Sequence, residues 1–271
     1  SWESENTIHI GTGGIGSMTM GSESSLHHTI TADGYLQFLS VYETDTVDLT
    51  INDSAGAGYL DDGDDVVQTN DGYFDFLGLG GGNDEANIGA GGGAQVSGGD
   101  GDDVVKVSAT ANAVYVNGGS GVDTIDFASF TTNVEFSLDK AGQYQNVSSP
   151  DDINNNVAGY FAEVGVENII GGKKRDDLTG DSGDNYLKGR GGKDKLRGGE
   201  GDDTLRGDGG KDTFFFADNG GTDTIEDFQI GSDTIRIRDH AGGFGGLSIS
   251  DSGDDLEIIY DGGTILLQGM A

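Results

Sequence analysis

The sequence predicts an all-β protein wound as a parallel β-solenoid, and three observations carry that prediction. Five nine-residue units run head to tail from Gly171 to Phe215: GGKKRDDLT, GDSGDNYLK, GRGGKDKLR, GGEGDDTLR and GDGGKDTFF. Four further copies of the same unit, two near-perfect and two looser, recur upstream at steps of 19 or 20 residues. Around them lie short runs in which apolar and polar residues alternate, the period of a strand. A fixed short period points to stacked coils rather than to packed helices.

Residues 1–126 open the chain. Ile8/Ile10, Met18/Met20, Leu36/Phe38 and Val47/Leu49 alternate with polar residues, and Gly, Asp or Asn separates the runs. These read as strand after strand. The units LDDGDDVVQ (60–68), LGGGNDEAN (79–87), GGDGDDVVK (98–106) and GGSGVDTID (118–126) follow, with Asp65, Asp84, Asp103 and Asp123 at their sixth positions. The step is just over two nine-residue units, a spacing that one whole turn of a coil would give. Residues 1–126 therefore predict an irregular solenoid with one acidic side. The other side is degenerate and carries 70–76, 89–94 and 109–115.

Residues 127–170 break the period and read as connecting strands. Val134, Phe136 and Leu138 alternate, a polar loop with Pro150 follows, and Val166 to Gly171 leads into the regular units. In residues 171–215 six residues of each unit turn and three form a strand. Glycine supplies the positive-φ conformations of the turn. The eighth residue (Leu178, Leu187, Leu196, Leu205, Phe214) points inward, and its two neighbours point outward. The sixth residue is Asp176, Asn185, Asp194, Asp203 or Asp212. An Asp column beside a glycine-rich turn lines up oxygen ligands, a donor set suited to Ca2+. Lys174 replaces the fourth-position glycine of the first unit, and Asn185 offers a neutral, weaker ligand. Residues 216–271 read as strands that cap the last apolar layer, which a solenoid end requires.

The unit Gly198 to Arg206 fits the pattern G-G-x-G-x-D-x-U-x at every fixed position, with U apolar. The chain thereby resembles the repeat-in-toxin (RTX) family, whose repeats form a calcium-binding β-roll in exported bacterial proteins. The resemblance implies two units per coil. Asp176, Asp194 and Asp212 would then form one column, and Asn185 and Asp203 the opposite one. It implies several Ca2+ ions between stacked turns, held by Asp carboxylates and turn carbonyls. It also implies export through the type I secretion apparatus, folding on extracellular Ca2+, and a secreted or cell-surface location. The apolar, acid-dotted stretches 254–260 and 265–267 suit an uncleaved C-terminal secretion signal.

Charge supports a metal-dependent fold. The 271 residues hold 48 acids against 14 bases, a net charge of −34. Such charge opposes compaction, so the metal-free chain is expected to be partly or wholly unfolded, with bound Ca2+ supplying stability. The acidity disfavours nucleic acid, and no run reaches the length of a membrane span. The absence of Cys excludes disulfides and thiolate metal sites.

No catalytic motif emerges. H-E-x-x-H and G-x-S-x-G are both missing. Gly11-Thr12-Gly13-Gly14-Ile15-Gly16 fits G-x-G-x-x-G, but strand-like alternation follows it instead of a helix. The leading expectation is a non-catalytic module that folds on Ca2+ and serves secretion and surface attachment. Its rivals are a carbohydrate-binding or adhesion module and an accessory module of a polysaccharide-modifying enzyme. The first rival rests on charge placement. Ten of the 14 bases fall between Lys173 and Lys211, and Lys188, Arg197 and Arg206 hold the outward ninth position of successive units. They either offset carboxylate repulsion or form a stripe for an anionic polysaccharide.

Overall fold

The computed structural model describes residues 6–21, 27–42, 46–93, 95–111, 114–140, 145–146, 160–217, 220–238, 247–251 and 253–270. The polar loop around Pro150 lies outside them. Among the described residues the chain is β throughout, apart from one 3-10 turn at Leu138–Lys140. It divides into two compact units, Ser1–Asp126 with Ala141–Asn146 and Asn156–Val166, and Phe127–Lys140 with Val147–Asn155 and Glu167–Ala271.

In the first unit the chain alternates between two parallel sheets. One contains Asn6–Ile10, His27–Ala32, Thr46–Ile51, Val66–Thr69, Glu85–Ile88, Val104–Val107 and Thr124–Asp126, in that spatial order. The other contains Ile15–Gly21, Leu36–Tyr42, Ala55–Tyr59, Phe74–Gly81, Gln95–Asp100, Val114–Ser120 and Tyr160–Val164. Each of these strands pairs in parallel with the strand one coil away, which is the signature of a solenoid, and Gln145–Asn146 adds an antiparallel edge beside Tyr160–Val164. The register stacks Ile30, Leu49, Val67, Ala86, Val105 and Ile125 in one inward column. Leu39, Gly58, Leu77, Val96 and Val116 form the facing column. The side chains of the first column are at most 2% exposed.

Strict alternation fails at one corner of the coil, formed in turn by Gln37-Phe38, Gly56-Ala57 and Asp75-Phe76, and again at Ser40, buried between Leu39 and Val41. Leu36 and Phe38 alternate in the sequence but do not share a face: Leu36 and Leu39 are buried, while Gln37 and Phe38 both face outward. Two consecutive outward residues let the strand turn a corner, and Phe38 then stacks on Tyr59 and Tyr59 on Phe76, at 5.6 and 5.0 Å. Gly11 to Gly16 leads directly into the parallel strand Ile15–Gly21, so no helix N-terminus is available to hold a phosphate.

The second unit repeats the plan with a shorter coil. One sheet runs Asn168–Ile170, Tyr186–Lys188, Thr204–Arg206, Gly221–Ile225 and Gly263–Leu267, then turns antiparallel through Leu256–Tyr260 and Ser248–Asp251. The other runs Glu135–Ser137, Asp177–Thr179, Lys195–Arg197, Thr213–Phe216 and Thr234–Ile237. Leu178, Leu196 and Phe214 stack on one side, and Ile169, Leu187, Leu205 and Ile225 on the other, all fully buried. The three-residue strands of the repeats turn one residue inward each, whereas Thr213–Phe216 and Gly263–Leu267 turn two, Phe214 with Phe216 and Ile265 with Leu267. Phe127, Phe130 and Phe136 pack edge-on at 5.1–5.3 Å and close the core beside the first of these coils. The residues of 127–140 thus belong to the second unit and supply its first strand.

Candidate metal centre

The turns before the inward strands carry the acids, and glycine makes room for them. In Gly198 to Arg206, Gly199 and Gly201 adopt φ of +129° and +100°, values that side chains rarely tolerate. Gly198 has a different reason to lack a side chain: its Cβ would overlap Oδ2 of Asp203 in its own unit. The same overlap joins Gly98 to Asp103, and at Gly189 and Gly207 a Cβ would stand 2.6 and 2.5 Å from Oδ2 of Asp194 and Asp212. In the units that open with glycine, the first glycine and the sixth-position acid are therefore one device; the units of Asp65 and Asp84 open instead with Leu60 and Leu79. The glycine seats the carboxylate under the turn instead of letting it project into water.

Once seated, each acid links two coils. Backbone N–H groups of Val47, Asp65, Asp84 and Asp103 donate to Oδ1 of Asp65, Asp84, Asp103 and Asp123, at 2.6, 2.7, 2.9 and 2.9 Å. In the second unit one ladder runs from Val134 to Asp176, Asp194, Asp212 and Asp233, with bonds of 2.7, 2.8, 2.9 and 3.0 Å. The other runs from Asn185 to Asp203 and Asp223, at 2.9 and 3.1 Å. A side-chain oxygen thus takes the place of a carbonyl in the parallel ladder at each turn.

The second oxygen of these carboxylates is another matter. Oδ2 of Asp65, Asp84, Asp103, Asp194, Asp203 and Asp212 is buried and accepts no hydrogen bond. A buried charge without a partner costs several kcal/mol, so these groups resist ionisation. Burial, partly offset by the backbone N–H, raises Asp65 and Asp194 to about 8, Asp84 and Asp203 to about 7, and Asp103 and Asp212 to about 6. The charges of stacked neighbours push the same way: Asp84 on Asp65, and Asp176 and Asp212 on Asp194.

This arrangement fits Ca2+. The ion takes 6–8 oxygen ligands and tolerates irregular geometry. Among the described residues no three acidic or imidazole side chains converge on one point, so side chains alone do not form a cage. They need not, since glycine-rich turns bring carbonyls beside the orphaned oxygens. The space beside Gly98 is bounded by both Asp103 Oδ2 and the Gly118 carbonyl of the next coil. A divalent cation would neutralise the buried charge and occupy the acceptors that no donor reaches.

The positions differ among themselves. Asp176 has both oxygens bonded, to the N–H groups of Val134 and Gly172 at 2.7 Å each. Asn185 accepts from the Asp181 N–H at 2.8 Å and donates through Nδ2 to the Glu167 carbonyl at 2.9 Å. Two acids outside the sequence-derived set also join the ladders. Asp223, raised to about 8 mainly by burial, continues the column of Asp203, and Asp233 continues that of Asp212. The signal for Asp223 was present: Asp223-Thr224-Ile225 repeats Asp123-Thr124-Ile125 and follows Asp203 by 20 residues.

The basic residues do not form one stripe. Lys188 and Arg206 are register partners in one sheet, whereas Arg197 lies in the other, between Thr179 and Phe215. The reason is the two-unit coil, which sends successive units to opposite sides. All three serve nearby carboxylates. Lys188 stands 3.4 Å from Asp208, Arg206 reaches Asp208 at 2.6 Å and Glu226 at 3.4 Å, and Arg197 pairs with Asp177. Arg197 also lies over the Phe215 ring, 4.3 Å from its centre.

A family model described as Peptidase M10 serralysin C terminal matches residues 97–255. Among solved structures, the crystal structure of extracellular lipase LipA from Serratia marcescens aligns at 19% identity and a TM-score of 0.26. The alignment covers 77% of this chain and 38% of that one, so the chain spans well under half of the lipase's length. No curated protein matches the chain.

Proposed function

The chain belongs to the peptidase M10 serralysin C-terminal family, and from that premise we propose that it is a non-catalytic module that folds around several Ca2+ ions outside the cell and supports type I secretion. One observation carries the reading. Six seated aspartates each bury an oxygen that no protein donor reaches, which disfavours the metal-free fold at neutral pH. Asp65, Asp84, Asp103, Asp194, Asp203 and Asp212 would hold the ions, with Asp123 and Asp223 at the same station of their coils and turn carbonyls completing the coordination. The bound cation supplies charge neutralisation. The chain supplies the rest: glycines that admit Asp103, Asp194, Asp203 and Asp212, Oδ1 atoms that tie coil to coil, and an apolar column that the turns bring into register.

Ca2+ binding would then be folding free energy, because the unfolded chain holds no such site. A cell interior poor in Ca2+ would keep the chain unfolded and exportable, and the outside would fold it. The test is far-UV circular dichroism of the chelator-treated chain during Ca2+ titration, with Mg2+ as control. A cooperative rise of strand signal with Ca2+ supports the reading. Equal strand content with and without Ca2+ sinks it.

A further inference from the structure

We propose that the first coil of the repeat run, closed by Asp176 and Asn185, takes no cation, and that the metal row of this unit begins one coil later at Asp194 and Asp203. The proposal rests on the calcium reading and deepens it, since the repeat pattern marks the first two units only as weaker positions, through Lys174 and Asn185.

The hydrogen bonds separate them. In the first two repeats the second-position N–H turns inward and donates to the sixth residue of its own repeat, Gly172 to Asp176 Oδ2 at 2.7 Å and Asp181 to Asn185 Oδ1 at 2.8 Å. Asp194, Asp203 and Asp212 keep a buried Oδ2 without a donor. An N–H aimed into the turn does two things. It satisfies the oxygen that would otherwise require a cation, and its positive end repels one. At Asn185 a second donor works in the same sense. Nδ2 reaches the Glu167 carbonyl of the preceding coil at 2.9 Å, so an amide bridges the coils where the other repeats offer only acceptors. The first turn is also cationic: Lys173, Lys174 and Arg175 lie exposed just before Asp176. A divalent ion placed there would meet three like charges.

Counting bound ions tests this. Native mass spectrometry of the Ca2+-saturated chain gives the wild-type number, and three variants are compared with it. Asn185→Asp puts a carboxylate oxygen opposite the Glu167 carbonyl and is expected to gain one ion. Asp203→Asn is expected to lose one. Asp176→Asn is expected to leave the number unchanged, with circular dichroism confirming that it still folds. The proposal is overturned if Asn185→Asp binds no more ions than wild type, or if a folded Asp176→Asn binds fewer. A wild type with no bound Ca2+ would instead overturn the calcium reading on which the proposal stands.

Discussion

Raising the pH should unfold this protein when metal is absent. The perturbation is a change from pH 4 to pH 8 in metal-free buffer. A carboxyl that ionises at 3.8 in the unfolded chain and at about 6 in the fold, as at Asp103 and Asp212, costs about 3 kcal/mol to ionise in place. Relaxation of the turn reduces this to about 1–3 kcal/mol per group. Asp65, Asp84, Asp176, Asp194, Asp203 and Asp223 ionise higher still, at about 7–8. A domain of ordinary stability has only about 5–15 kcal/mol in total, so ionising a handful of these groups suffices to open it. The sign follows from linkage. Folded-state values above the unfolded value mean stability that is fully present below about 3.8 and is lost as pH rises through 6 to 8. Asp48 and Asp64 beside Asp65, and Asp208 beside Asp194, add repulsion in the same direction. Urea unfolding followed by circular dichroism at each pH measures the effect, and saturating Ca2+ should flatten the profile. Metal-free stability that stays constant or climbs between pH 4 and 8 would refute the reasoning.

Other outcomes follow from the same geometry. Leu205→Ala in the Ca2+-loaded chain empties a fully buried position in the column between Leu187 and Ile225, and should cost about 2–5 kcal/mol by urea unfolding. Gly198→Ala forces a Cβ into Asp203 Oδ2, so calorimetry should show weaker Ca2+ binding although the substitution touches no ligand type. Asp194→Asn keeps the Oδ1 acceptor for the Asp176 N–H but removes the charge; it should stabilise the metal-free chain at pH 8 and lower the Ca2+ stoichiometry. Lys188→Gln breaks only a part-exposed pair with Asp208, and thermal unfolding should register less than about 1 kcal/mol.

The repeat made much of this legible. An acid, or once Asn185, every nine residues, with an apolar residue two places on, leaves a two-strand coil as the arrangement that buries Leu178, Leu187, Leu196 and Leu205 together. The sorting of those leucines onto two sides also followed from the resemblance. Less regular stretches were harder. At Gln37 and Phe38 two neighbours face outward, and no period-2 pattern announces such a corner. Lys188, Arg197 and Arg206 look like a row along the chain, but the coil sends Arg197 to the other sheet.

By itself the sequence determined the station of each acid, because glycine, aspartate and an apolar residue at fixed spacing permit few other backbones. What each acid does at its station was decided only in three dimensions. Asp176, Asn185 and Asp203 share one repeat position, yet the first has both oxygens bonded by N–H groups, the second bridges to Glu167 through its amide, and the third buries an oxygen with no donor. The difference lies in the direction of N–H groups in turns and neighbouring coils. Repeat spacing carries no record of that direction.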